Sequence, residues 1–403
     1  MTFNIGIGST LIASSTDDGI PYLWKSGDIT SQANNQTTIT ASDGAANDEF
    51  GVSVAVGCGR IVVGAPIENE RYGAAYIYDL DGNQLGIVTA SDGGAHYNST
   101  TQSDRFGDAV AVGYGRIVVG AWYYKARGAA FIYDLDGNSI ATVGIPTTLA
   151  TDDRLGNSVG VGCSVIVVGS DGNDDNGQNS GSIYIYDLDG NNEIKVNPSD
   201  GAANELFGES VAVGNGRIVA GAYVEFSGGI YRGAAYIFDL KGNEIKKLTA
   251  SDGGNVDSFG RSVAVGCGRI VVGAYQWDGD FTDQGAAYIF NLNGDELRII
   301  TDPSPGFNAN FGYTVAVGSG RIVVGARTGM CVYDLDGNFI QKISVGNAPN
   351  YNVSFGHCER AVSVGSGKIV IGQHVANTNK GLAYSYDTPN VYTLYDAIDL
   401  QSY

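Results

Sequence analysis

Four copies of the pentapeptide DLDGN, at residues 79–83, 134–138, 187–191 and 334–338, each bring two carboxylates and an amide together. Such oxygen donors suit a hard cation such as Ca²⁺, but the Gly comes too early and no downstream Glu closes a loop. Asp-Gly and Gly-Asn are favoured turn pairs, so a hairpin turn is expected instead. A second acidic pattern recurs in "ASDGAANDEFG", "PSDGAANELFG" and "ASDGGNVDSFG". There Asp43 with Asp48, or Asp252 with Asp257, could hold a cation; the expected role is to cap turns leading into a buried Phe.

The third group is aromatic. Trp122, Tyr123, Tyr124, Tyr223, Phe226, Tyr231, Trp277 and Phe281 lie in variable stretches, with Lys125, Asp278 and Asp280 beside them. Aromatic faces next to carboxylates suit stacking on sugar rings and hydrogen bonding to their hydroxyls, or a protein hot spot. These eleven residues are the expected ligand-binding set, with packing into local loop cores as the alternative for any one of them.

Signs of catalysis are weak. The three histidines, His96, His357 and His374, are scattered, and no metalloprotease, nucleophile-elbow or P-loop motif is present. No carboxylate pair is singled out for glycoside hydrolysis. The chain is therefore expected to be non-catalytic, without cofactor or metal.

Five cysteines in 403 residues do not make a disulfide framework, and free thiols are expected. A net charge of -20 repels nucleic acid and anionic membranes, which are excluded as partners. No run of about 18 apolar residues occurs, so no membrane insertion is expected. The N-terminus lacks a basic start followed by an apolar run, so no signal peptide is expected.

The elements that must position these groups are repeated. The second Val of "VAVG" or its variants recurs at Val56, Val112, Val161, Val213, Val265, Val317 and Val364, and "FNIGIGSTLIAS" fits the same template with Ile5 at the marker. Each copy reads as four short strands: alternating "SVAVG", the continuous apolar run "RIVVGA", alternating "GAAYIYDL" and a variable closing strand. G-x-G and D-G-N supply the hairpin breaks, and no 3.6-residue period appears. Four-stranded units at a period near 50 residues predict an all-β fold, a β-propeller of eight four-stranded blades with seven as the alternative. The units run approximately 1–44, 45–100, 101–150, 151–202, 203–254, 255–306, 307–350 and 351–403, with 391–403 as a tail that forms a last outer strand or docks a partner.

Strand direction places the G-x-G-R and DLDGN turns on one face. Arg60 opens the second strand where Asp79 ends the third, so the two are expected to be neighbours. Arg116 with Asp134, Arg217 with Asp239, Arg269 with Asn291 and Arg321 with Asp334 should repeat the pairing, at about 0–1 kcal/mol each. The variable loops, and the aromatic set with them, fall on the opposite face, where a rigid scaffold usually carries binding.

"FG" stands at Phe50-Gly51, Phe106-Gly107, Phe207-Gly208, Phe259-Gly260, Phe311-Gly312 and Phe355-Gly356, with Leu155-Gly156 a variant. "GA" stands at Gly64-Ala65, Gly120-Ala121, Gly221-Ala222, Gly273-Ala274 and Gly325-Ala326, and the full "GAP" at Gly64-Ala65-Pro66. These signposts resemble the FG-GAP repeats of integrin α-chain propellers and their microbial relatives, over essentially the whole chain. The resemblance implies seven blades, where eight units are counted here. It also implies a calcium loop between the first two strands, where this chain has only "GCGR", "GYGR", "GNGR" or "GSGR".

The near-identical repeats and "ASDGAAND-x-FG" linkers also look like those of propellers in phage structural and tail proteins. That likeness implies a non-catalytic binding or structural protein on a virion surface, assembled in the host cytoplasm. Its partners would be other virion proteins or a host surface glycan or protein. The alternatives are a secreted or cell-surface adhesin, extracellular, and a polysaccharide-active enzyme on a propeller.

Overall fold

The computed structural model describes residues 2–5, 9–15, 21–25, 34–67, 72–90, 104–144, 150–227, 230–327, 329–343, 362–374, 380–388 and 392–393. Seven four-stranded antiparallel sheets form a closed ring. Their innermost strands are Ser53–Gly57, Phe106–Gly113, Val159–Gly162, Ser210–Gly214, Phe259–Gly266, Val315–Gly318 and Val362–Gly365. Each packs against the next, and the last returns to the first. The molecule is a seven-bladed β-propeller.

Within a blade, burial follows the sequence pattern. The second strands, such as Arg60–Ala65 and Arg269–Ala274, are buried on both faces after their first residue, as a continuous apolar run requires when neighbouring blades cover both sides. Third strands such as Ala74–Tyr78 and Ala234–Phe238 are buried throughout, while outermost strands such as Gln84–Val88 and Glu244–Leu248 keep exposed positions. The G-x-G turn between the first two strands has positive φ at both central residues, for example Cys58 at 49° and Gly59 at 73°. That is a type I′ hairpin, whose twist matches the strands it joins.

The FG phrase is the joint between blades. Its Phe is fully buried against the third-strand aromatics of its own blade, Phe50 lying edge-on to Tyr76 at 5.3 Å and Phe259 to Tyr288 at 5.2 Å. Its Gly reaches back to the preceding blade. Gly107 adopts φ 94°, and its carbonyl sits so close over the "GA" glycine of the first blade that a methyl on Gly64 would lie 1.9 Å from the oxygen. The Ser of "FGxS" on that first blade completes the joint, since Ser53 Oγ donates to the Gly107 carbonyl at 2.7 Å. Ser158, Ser210 and Ser262 repeat the bond to Gly208, Gly260 and Gly312.

This joint explains why the count of eight blades is corrected to seven. Gly51 of the first blade seats its carbonyl on Gly372 of the seventh, and Phe50 bridges to Gly381, so the ring is already shut. The seventh blade takes its outermost strand, Asn34–Ile39, from the other end of the chain, where it pairs with Leu382–Asp387. The N-terminal unit does form strands, Thr2–Ile5, Ser9–Ser15 and Pro21–Lys25, and Tyr392–Thr393 pairs with the last of them. It matches the strand phrase but has no FG to seat on a neighbour. The two ends of the chain thus exchange strands. Phe355-Gly356 and most of residues 391–403 lie outside the described residues.

Candidate functional site

The DLDGN turns are self-satisfied. Asp79 Oδ1 accepts from the backbone N–H groups of Asp81 and Asn83 at 3.0 and 2.8 Å, and Oδ2 accepts from Asn83 Nδ2 at 2.8 Å. Asp134 and Asp334 repeat the set. The Asn83 side chain, then its backbone, hold the Asp79 carboxyl below the ordinary aspartate value. The turn uses the oxygens a cation would need.

The expected pairing of Arg with the Asp of its own blade is corrected for Arg60, Arg116, Arg217 and Arg269, while Arg321 keeps an electrostatic interaction with Asp334 of its own blade. Arg60 reaches across the seam, its Nε donating to the Leu135 carbonyl at 3.1 Å and its Nη2 meeting Asp136 at 3.3 Å. Arg116 does the same with Leu188 and Asp189, and Arg269 with Leu335 and Asp336. Arg217 donates to the Leu292 carbonyl. Register fixes which Cα atoms are opposite, but the long side chain runs toward the neighbouring blade, and the own-blade carboxylate is already engaged by its turn. The shorter Lys368 pairs within its blade, with Asp387 at 2.6 Å.

In the linkers, the two acids have separate structural roles. The first accepts a third-strand phenol: Tyr76 donates to Asp43 at 2.9 Å, Tyr236 to Asp200 at 2.8 Å and Tyr288 to Asp252 at 2.7 Å. The second caps the turn before the Phe, Asp48 accepting from Ala45 N–H, Glu205 from Ala202 N–H and Asp257 from Gly254 N–H. Among the described residues no group of three or more His, Cys, Asp or Glu is placed to hold a metal ion. Cys58, Cys163, Cys267 and Cys331 are free thiols, and burial pushes Cys331 up to about 12.

The variable face does not gather the expected aromatic set into one site. On the second blade Tyr124 is buried against Phe131, Lys125 is exposed over the Tyr124 ring, and Trp122 stacks edge-on with Tyr123 beneath Arg105. On the fifth blade Trp277 packs partly into the blade core, Asp278 Oδ1 accepts from Asp283 N–H at 2.8 Å, and Asp280 is exposed. The fourth blade carries an extra hairpin, Phe226–Ser227 with Ile230–Tyr231. Its Phe226 and Tyr231 rings lie 4.8 Å apart and are 53% and 50% exposed. One blade on, Phe281 meets Phe307, which is 71% exposed, at 5.0 Å.

These loops diverge in sequence yet share a frame. In the third blade Asp174 Oδ1 accepts from Asn179 N–H and Asn173 O from Gly181 N–H; in the fifth, Asp278 and Trp277 do the same for Asp283 and Gly285. Each loop also bonds the following linker, as in Asn204 N–H to Gln178 O and Asn308 N–H to Thr282 O.

A further constellation, at the mouth of the central channel, is not foreseen in the sequence. The residue x of "FGxS" or its variants meets its counterparts there in the third to sixth blades. Asn157 Nδ2 donates to Glu209 Oε2 at 3.2 Å, and Arg261 Nη1 donates to Glu209 Oε1 at 3.1 Å. Arg261 lies between the rings of Tyr223, at 4.5 Å, and Tyr313, at 5.6 Å. On the other side Arg105 pairs with Asp108 and Glu49. Below Glu209 a cavity of about 130 Å³ is lined by one valine from each blade, from Val54 round to Val362. The available signal is that x reads Val52, Asp108, Asn157, Glu209, Arg261 and Tyr313 inside an otherwise fixed phrase.

Known proteins place this architecture. The FG-GAP repeat family matches at residues 34–78, 146–186, 191–238 and 243–290. The fold is similar to that of the WD40 domain of Neurospora crassa Pan2, with a TM-score of 0.52 and 12% identity, covering 90% of this chain and 98% of that one. At that identity the likeness concerns fold alone. No curated protein matches the chain. With four family matches, and with FG and GA glycines meeting at the blade joints, the chain is a β-propeller that carries FG-GAP repeats.

Proposed function

We propose that the propeller is a non-catalytic binding module on a virion surface, a phage tail or capsid, whose variable face attaches to a host surface glycan or a neighbouring virion protein. One observation carries the binding part: the cross-strand pair Phe226 and Tyr231, half exposed on a hairpin found in no other blade among the described residues. Rings left this open add little to the core, and their faces are available to stack on the apolar face of a sugar ring or a partner side chain. Phe281 and Phe307 offer a second such pair one blade away. The net charge of -20 favours a neutral or cationic partner over nucleic acid or an anionic membrane. The virion placement rests on the likeness of the "ASDGAAND" linkers to those of phage structural proteins. Free thiols suit assembly in a reducing cytoplasm, with an extracellular location as the alternative.

Glycan-array and whole-cell binding by the wild type and a Phe226→Ala/Tyr231→Ala double variant tests the reading. Aromatic hot spots are worth about 2 kcal/mol or more, so affinity should fall roughly 30-fold. Unchanged binding would remove the hairpin from the site, and release of sugar products would replace the module with an enzyme. Antibody-gold labelling of purified particles tests the virion placement, which fails if intact particles carry no label.

A further inference from the structure

Two acids beside the channel mouth, Asp171 and Glu209, are held by groups from three blades and take no part in the proposed loop site. Asp171, just past the second strand of the third blade, is 2% exposed. Its Oδ2 accepts from Arg154 Nη1 at 3.0 Å, while its Oδ1 is sealed from solvent with no hydrogen-bond donor. The group that faces it is Glu209, at the entry of the fourth blade. Glu209 is held in turn by Asn157 and by Arg261, the residue framed by Tyr223 and Tyr313.

We infer that Asp171 and Glu209 hold one proton between them, and that this proton keeps Arg261 and the tyrosines that frame the channel mouth in place. With both acids ionised, Asp171 Oδ1 would be a buried, uncompensated acceptor set against a second negative charge, which lost hydration and like-charge repulsion both disfavour. A proton on Asp171 Oδ1 turns that acceptor into a donor toward Glu209. The acid pair then carries a single negative charge, on Glu209, and Asn157, Arg261 and the new O–H all donate to it. Burial first, and Glu209 second, push the Asp171 carboxyl well above the ordinary aspartate value, while Arg154 pulls it down without prevailing. Two carboxyl groups sharing a site titrate as a pair, one of them at raised pH.

Among the described residues, the charged groups bonded to the pair are Arg154 from the preceding linker and Arg261 from the fifth blade, with the Asn157 amide between the third and fourth. Between the two titration steps, neutral pH included, the shared proton balances the cluster. As pH rises through the upper step, the second charge appears and Glu209 is repelled from Asp171, taking with it the contact that aligns Arg261 between its tyrosines. The mouth of the channel is therefore a pH-responsive element, whatever the loops bind.

Carboxyl-carbon NMR of the full chain tests this, with Tyr223 and Tyr313 ring signals followed across the same pH range. The Asp171 carboxyl should remain protonated at neutral pH, and the ring signals should shift together with its titration. Asp171→Asn keeps an oxygen for Arg154 and presents an amide donor to Glu209, so the ring signals should lose that shift. Glu209→Gln should lower the pH at which Asp171 titrates. An ionised Asp171 at neutral pH overturns the proposal. So does a ring-signal shift that survives in Asp171→Asn, or an Asp171 titration unmoved in Glu209→Gln.

Discussion

Replacing Gly51 by Ala tests where and how tightly the ring closes. Gly51 has φ 90°, and an added methyl would lie 2.5 Å from the Leu382 carbonyl and 3.0 Å from the Gln373 nitrogen, both on the seventh blade. Two costs follow. Holding a non-glycine residue in the left-handed region costs about 1–2 kcal/mol. Forcing a methyl into a closed seam adds about 1–3 kcal/mol, because the atoms it meets are backbone and can yield only if the blades part. The total is about 2–5 kcal/mol.

Gly59→Ala is the matched control. Gly59 has φ 73°, but nothing lies within 4 Å of the added methyl, so only the first cost applies. Gly260→Ala, with φ 93° and a methyl 2.1 Å from the Ala234 carbonyl, samples a joint inside the ring and should match Gly51→Ala. Urea unfolding read by far-ultraviolet circular dichroism gives the three differences from the midpoints and slopes. If Gly51→Ala is no worse than Gly59→Ala while Gly260→Ala is, the first and seventh blades do not meet in this register and the seven-bladed closure is wrong.

Other perturbations address the remaining contacts. Ser262→Ala strips the buried hydroxyl from the Gly312 carbonyl at 2.9 Å, and urea midpoints should report a loss of about 1–3 kcal/mol. Asp189→Asn, at a carboxylate 65% exposed, should cost no more than about 1 kcal/mol and less at high salt, whereas Arg116→Ala also deletes the bond to the Leu188 carbonyl and should cost more. Deleting residues 1–33 should leave the cooperative unfolding of the ring in place, while extending the deletion through Ile39 removes the outermost strand of the seventh blade and should lower the midpoint. Burial raises the phenol of Tyr386 to about 12, and burial with an Asp partner pushes Tyr236 and Tyr288 higher. The folded chain then keeps protons that the unfolded chain releases near pH 10, so stability is full below that pH and lost as pH climbs toward the folded values; phenolate absorbance should rise together with unfolding.

Strands and turns were legible in the sequence because their causes are local. "RIVVGA" is apolar at every position, and the G-x-G turn needs positive φ wherever it occurs. The number of blades was not, because copies of a strand phrase count sheets, whereas a ring is made of joints. The N-terminal "FNIGIGSTLIAS" has the strands and lacks the FG, and the ring closes without it. The arginines failed for a related reason: Cα register says that Arg60 stands opposite Asp79, but not that the guanidinium points across the seam to Leu135 and Asp136. Of the aromatic set, Phe226 and Tyr231 proved open while Tyr124 went into the core, a difference decided by the hairpin after Glu225 and the tight turn around Lys125. No periodicity encodes either.

The division of labour inside the repeat constrains where function can reside. The Phe of FG fills the blade core, its Gly seats on the neighbouring GA, the Ser of FGxS bonds the next FG carbonyl, and the Arg of G-x-G-R crosses to the next turn. Substituting any of these loosens a joint, and a closed ring shares that penalty among all blades. Residue x of FGxS lies outside the FG–GA seat, bonding its neighbours only through its side chain, and the outward side chains of the loops between the second and third strands lie outside it too. Both lie on one face. Chemistry can change there, from Asn157 to Glu209 to Arg261 around the mouth, while the backbone that carries it stays the same.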